Sequence, residues 1–300
     1  MDEMDLLEGR EIGDFVAVRN QTQNRRVQKM FAETIERFNL LRNINRILFL
    51  FSGGKDATFG LKLLSEYIRE SELDIKVEAL MITYPKNVYY TYAALRNDVF
   101  ERSLDFWKDQ GVDLKIVNPP VQDIQNNKAY GCGECKKVRM SAVETFIRES
   151  GIDRKGAAIV TGYTLFDAHA YIQEFGLITN YSYQLDHNLL PEKKNKILNC
   201  LHKMRIQETL PVGAKILRPL LIFKEDTIKH YLNANDIPYI DVPCNVADYK
   251  PKRTIFKTLN EMSSDLNITY DGLMAFLERN AVVFPEDFQD ISNMYNFTDC

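Results

Sequence analysis

The chain has 300 residues, 45% of them hydrophobic and 27% charged, which is ordinary for a globular domain and allows a full core. Lys and Arg total 38 against 42 Asp and Glu, a net charge of −4, so the global basic footprint of a nucleic-acid binder is absent. With 14 Gly and 10 Pro, collagen-like and low-complexity classes are excluded, and the apolar run at Ile47–Phe51 is far short of the roughly 20 residues of a membrane helix.

The amino terminus, MDEMDLLEGRE, is acidic at once, so no secretory or mitochondrial leader is expected and the location expected is cytoplasmic. Residues 15–45 carry a helical pattern. Arg46–Phe51 is a short strand ending at Ser52-Gly53-Gly54, and Asp56–Ile68 follows with apolar residues at helical spacing. Lys76–Tyr84 is a second strand, and a helix is expected from Tyr90 to Gln110. Around its start, Tyr89–Tyr92 reads as packing, with a platform for a flipped base as the alternative. Asp113–Val117 is a third strand before the Pro119-Pro120 breaker. Lys136–Ser150 is helical, Ala157–Thr161 is a fourth strand, Lys215–Leu217 a fifth, and Phe223–Asn235 a helix. Strands alternating with long helices predict an α/β fold, a doubly wound and mostly parallel sheet with helices on both faces. The expected organisation is a helical extension over 1–45, an α/β domain over 46–240, and a carboxyl-terminal segment over 241–300. Local basic runs at Arg25, Arg26 and Lys29, at Lys193, Lys194 and Lys196, and at Lys250, Lys252, Arg253 and Lys257 are either solvated faces or local sites for a polyanion.

In such sheets ligands sit beyond the carboxyl ends of the strands. The string Ser52-Gly53-Gly54-Lys55-Asp56 leaves a strand and opens a helix. Adjacent glycines let several backbone N–H groups point at one anion, and the helix adds its positive end. Lys55 adds a cation, and Asp56 can hold Mg²⁺ on phosphate oxygens. Neither a Walker loop nor a Rossmann fingerprint is present, and the competing reading is an ordinary strand-to-helix turn.

Five cysteines in a chain of this length do not suggest a disulfide framework. Cys132 and Cys135 form a CxxC at a helix start, where the dipole favours thiolate. That spacing leaves open a redox pair, a zinc site, an iron–sulfur site with Cys244 as third ligand, or two unmetallated thiols. Cys200 and Cys300 stand alone, and the four histidines are scattered, with no spacing that marks a metal site.

The Ser52–Asp56 string resembles the SGGxDS signature of the PP-loop ATP pyrophosphatase superfamily, which activates a carbonyl by adenylation before a nucleophile replaces the oxygen. Ala57 stands where that family usually has Ser, and Thr58 is the neighbouring candidate for the missing hydroxyl. The ordered set of SGGKD, CxxC with Arg139, Thr161-Gly162 with Asp167, Arg218-Pro219-Leu220 with Glu225, and Cys244 with Arg253 is similar to the tRNA 2-thiolation branch, nearest the 2-thiocytidine synthetase type.

The resemblance implies a [4Fe-4S] cluster on Cys132, Cys135 and Cys244. It implies nucleotide contacts from Ser52, Gly53, Gly54, Lys55, Asp56, Thr58, Thr161, Gly162 and Asp167. Tyr163 and Phe166 depart from the family's TGHxxDD. The implied activity is an ATP- and Mg²⁺-dependent sulfur transfer, with Lys55, Asp56 and the three cysteines carrying the chemistry. The implied partners are tRNA and a sulfur donor, either sulfide or a persulfide carrier; members of the family often dimerise, and no membrane is involved. The same chemistry on a small molecule, and a cluster-containing nucleotide sensor without turnover, are the alternatives.

Overall fold

The computed structural model describes residues 3–92, 98–123, 131–152, 156–168, 170–171, 202–203, 205–209 and 214–241, with side chains from residue 20 onward apart from 91–92 and 131–132. The expectations placed on Cys200, Cys244 and Cys300, on the basic runs at 193–196 and 250–257, on His169 and His187, and on 242–300 lie outside the described residues.

Helix α1 runs Glu3–Arg37, and β1 Arg46–Leu50 leads into α2 Lys55–Glu70. Then come β2 Lys76–Ile82, a π-helical segment Asn87–Tyr92, α3 Val99–Asp109 and β3 Asp113–Val117. Helix α4 Gly131–Glu149, β4 Ala157–Thr161, β5 Gln207–Thr209, β6 Lys215–Leu217 and α5 Glu225–Ala234 complete the order. The expected helix over 15–45 stops at Arg37 because Asn39 and Asn43 take left-handed backbone, at φ 48 and 61. The helix expected from Tyr90 is likewise interrupted: Asp98 at φ 52 precedes α3.

The described strands form a six-stranded sheet in the order β3-β2-β1-β4-β6-β5. All pairs are parallel except β5 with β6. The central strand β1 is buried on both faces, which is why it reads as a continuous apolar run: Ile47 and Phe49 face one way and Leu48 the other. Leu48, Leu80 and Ile82 pack under Val143 and Val138 of α4. Ile47, Phe49, Ala79 and Met81 share the opposite core with α2, α3 and α5. Helices α2 and α3 lie on one face and α4 on the other because right-handed crossovers run outward to β3 and then return past β1 to β4; α5 joins α2 and α3 on their face.

The last turns of α1 belong to the same core, through Val27, Phe31 and Ile35, with the Phe31 and Tyr67 rings edge-on at 6.3 Å. Phe59 of α2 meets Phe223 at 5.1 Å and Tyr231 of α5 at 5.3 Å. These contacts bring the amino-terminal ends of α2 and α5 to the same edge of the sheet. Among the described residues, no helix is long and apolar enough to cross a membrane.

Candidate active site

The strand order reverses between β1 and β4, so the crevice at their carboxyl ends is the switch point where a doubly wound sheet takes its ligand. On the β1 side, Gly53 has φ 77, and a Cβ there would collide with Ile240 Cδ1 and lie 2.9 Å from Met81 Cε, so only glycine fits. The Gly53 carbonyl accepts from the Ile240 backbone N–H at 2.7 Å and from the Thr58 hydroxyl at 3.2 Å. Gly54 is the extended N-cap of α2 and has no side chain to cap it, which leaves the first-turn N–H groups to face a ligand. Ser52 Oγ accepts weakly from Gly54 N at 3.4 Å.

Thr58 does not take the role expected of it. It is fully buried and its hydroxyl is given to the Gly53 carbonyl, so it braces the loop from beneath. Helical geometry decides this: one position past Ala57 the side chain has rotated by about 100° toward the sheet.

Four charges line the mouth of the loop. Lys55 Nζ lies 3.1 Å from Asp56 Oδ1 and 3.8 Å from Glu225 Oε1, and Lys229 Nζ lies 2.8 Å from Glu225 Oε1. Burial pushes the Asp56 carboxyl up, and the Lys55 ammonium pulls it part of the way back. Burial also pushes Glu225 up, but the Lys229 hydrogen bond and the two lysine charges together hold it below the usual carboxylate range.

On the β4 side, a Cβ on Gly162 would stand 3.1 Å from Ala57 N and 3.2 Å from its Cα, so the two strand-end turns press directly together. The Thr161 hydroxyl oxygen is buried with no hydrogen-bond partner among the described residues. Asp167 Oδ2 accepts from Thr164 N at 3.1 Å and from Thr164 Oγ1 at 3.4 Å, so its carboxylate closes back on the residue before the helical turn that begins at Leu165. Tyr163 lies against Tyr171, with centroids 6.0 Å apart, and under Arg218 at 5.8 Å; burial pushes its phenol up. Arg218 is itself 4% exposed and donates to Glu208 Oε2 at 3.1 Å, while His202 Nδ1 lies 2.8 Å from Glu208 Oε1.

The CxxC is placed at the end of the neighbouring strand. Helix α4 begins at Gly131 rather than at Lys136, so Cys132 occupies its first turn and Cys135 stands one turn further on. Cys135 is half-buried, with Sγ 4.0 Å from the Tyr84 carbonyl just beyond β2. Two cysteines one turn apart at the positive end of a helix suit a thiophilic metal or cluster. Cys244 lies outside the described residues, and among those no group of three or more His, Cys, Asp and Glu is gathered for a metal ion.

Between the cysteine helix and the Ser52–Asp56 loop runs the segment after β2. Asp123 accepts from the backbone N–H groups of Lys86 and Asn87, both at 2.9 Å, and the Tyr89 hydroxyl donates to the Ser52 carbonyl at 3.3 Å. Lys229, Glu208, Ile240 and Asp123 were not apparent as site residues from sequence. No local motif marks them, because each reaches the site from a distant element; only the first-turn carboxylate of α5, Glu225, lies in a recognisable string.

A strand, a glycine turn and a helix at the switch point of this sheet, with Lys55 and Asp56 at the mouth, resemble the nucleotide site of enzymes of the PP-loop superfamily. The likeness runs to the tRNA 2-thiolation branch of that superfamily. The chain is 24% identical over 132 residues to the tRNA-cytidine(32) 2-sulfurtransferase of Bdellovibrio bacteriovorus, covering 43% of this chain and 48% of that protein. It is 21% identical over 272 residues to the tRNA-5-methyluridine(54) 2-sulfurtransferase of Thermotoga maritima, covering 85% of this chain and 77% of that one. The fold is similar, at TM-score 0.60 and 20% identity, to the U34-tRNA thiolase NcsA from Methanococcus maripaludis solved with its [4Fe-4S] cluster, over 86% of this chain and 80% of that one. The chain thus spans about half the length of the first of these relatives and about three quarters of the second. No protein-family model matches the chain.

Proposed function

We propose that this chain is an ATP-dependent sulfur transferase that thiolates a tRNA base. The observation that carries the reading is the meeting of three features at one sheet edge: the Ser52–Asp56 loop, the Thr161-Gly162 turn pressed against it, and Cys135 at the adjoining strand end. The relatives, both tRNA 2-sulfurtransferases, support tRNA as the acceptor and sulfur as the group transferred.

The α2 amino terminus and Lys55 would hold the triphosphate, and Asp56 would hold Mg²⁺ against it. The acceptor carbonyl oxygen attacks the α-phosphorus, and the bond to pyrophosphate breaks. That converts a poor leaving oxygen into AMP, which a sulfur nucleophile then displaces. Lys55 stabilises charge that grows on the departing pyrophosphate. Cys132, Cys135 and Cys244 would hold a [4Fe-4S] cluster, which would supply the sulfur nucleophile. Gly162 and Thr161 shape the nucleotide side of the crevice.

The test is protein prepared without oxygen, assayed for iron and acid-labile sulfide and then for sulfur incorporation into unmodified tRNA. Iron and sulfide in the ratio of a four-iron cluster, with pyrophosphate released only when tRNA is added, is the expected result. Zinc or no metal would overturn the cluster. Thiolation of a small carbonyl compound in place of tRNA would overturn the acceptor.

A further inference from the structure

Tyr89 and Tyr90 are neighbours with opposite fates. Tyr89 is 4% exposed and ties its segment to the phosphate loop, whereas Tyr90 is 44% exposed. The Tyr90 ring is nonetheless held in place. Its hydroxyl donates to Thr83 Oγ1 at 3.2 Å, and Thr83, fully buried, donates onward to the Val117 carbonyl at 3.3 Å. Its ring meets Phe100 at 5.6 Å and 67°, an edge-to-face contact. The carboxylate of Asp123 pins the start of the same segment. The segment is π-helical, a geometry often found at functional sites.

The ring also sits at a telling place. It caps the carboxyl end of β2, where Tyr84 O contacts Cys135 Sγ and where Tyr89 reaches Ser52 of the loop. An aromatic ring already fixed in orientation loses little freedom when a second flat group lies on it. A base presented for chemistry must leave its own stack and needs a new aromatic face. We infer that Tyr90 is a stacking platform for an unpaired nucleobase of the RNA acceptor. This rests on the tRNA reading above and adds to it the place where the base is received. Stacking of this kind tolerates any base, so Tyr90 contributes affinity and position, and the choice of nucleotide lies elsewhere.

The experiment compares wild type, Tyr90→Ala and Tyr90→Phe in binding to unmodified tRNA and to a short single-stranded RNA, with ATP affinity measured on the same samples. Tyr90→Ala should weaken both RNAs by roughly 10- to 100-fold, the span of a lost base–aromatic stack. ATP affinity should stay within about twofold, since Tyr90 touches the loop only through its neighbour. Tyr90→Phe should recover most of the loss, because it keeps the ring and gives up only the Thr83 bond. RNA binding by Tyr90→Ala equal to wild type overturns the platform and leaves the thiolation reading standing. Wild type that binds neither RNA overturns both. Loss of ATP affinity in step with RNA affinity would make Tyr90 a structural support and overturn the platform as well.

Discussion

Glu225 Oε1 stands 3.8 Å from Lys55 Nζ, so the first turn of α5 sets the charge of a loop formed at the other end of the described chain. Lys55, Asp56, Glu225 and Lys229 together carry no net charge. A triphosphate arriving at Lys55 meets a lysine already engaged by two carboxylates. Glu225→Gln removes one of these and should tighten ATP binding by about 2- to 5-fold at low salt, the scale of a half-exposed ion pair. The same change takes a carboxylate from the α5 amino terminus and should cost about 0.3–1 kcal/mol of stability. Titration calorimetry and thermal melting test the two signs separately; weaker ATP binding would make Glu225 a support for Lys55 rather than a competitor for it.

Ala57 leaves the loop one hydroxyl short of the family pattern, and Thr58 does not supply it because it is buried and bonded to Gly53. Ala57→Ser should therefore strengthen ATP binding, by about tenfold if the new hydroxyl meets a charged phosphate oxygen. Thr58→Val, in contrast, should loosen the loop and lower thermal stability by roughly 1 kcal/mol. An ATP affinity left unchanged by Ala57→Ser would show that the phosphates pass this position by.

Glu208 ties three elements together through Arg218 and His202. Burial pushes its carboxyl up, but the His202 hydrogen bond and charge and the Arg218 contact together hold it below the usual range. A depressed folded pKa gives stability that is present above the unfolded value near 4.3 and is lost as pH falls through the folded one. Glu208→Gln leaves the buried Arg218 without its anion and should cost about 3 kcal/mol at neutral pH. The gap between wild type and variant should narrow on acidification, which melting curves from neutral to acid pH will read. A gap constant with pH would remove the ion pair as its cause.

Cys135 is half-buried at the edge of the core, with its Sγ 4.0 Å from the Tyr84 carbonyl. Cys135→Ser should empty the protein of iron and abolish sulfur transfer, while ATP affinity and melting temperature of the apoprotein stay close to wild type. Iron retained in this variant would assign the cluster to other ligands.

The legible parts of the fold were those whose signal is local. Asp113–Val117 and Ala157–Thr161 form strands over the residues their composition marks, because β-branched and apolar side chains between turn residues have few other options. Gln207–Thr209 carries no such signal. It is a strand because β6 offers it an antiparallel partner and because Glu208 is drawn to Arg218. The early ends of the helices at Arg37 and before Val99 were hidden for a related reason: Asn39, Asn43 and Asp98 tolerate left-handed backbone without announcing it.

The sequence alone determined the strand, glycine turn and helix start at Ser52–Asp56, since two glycines and a helix start act through their own backbone and need no distant partner. It also set the two cysteines next to a helix start, although the helix takes them both in. Only the tertiary structure decided that Gly162 would touch Ala57, that Glu225 would reach Lys55, and that Tyr90 would be exposed while Tyr89 was buried. Each of these depends on how helices from separate parts of the chain settle on the two faces of one sheet, and that is settled by packing of the whole core rather than by any one segment.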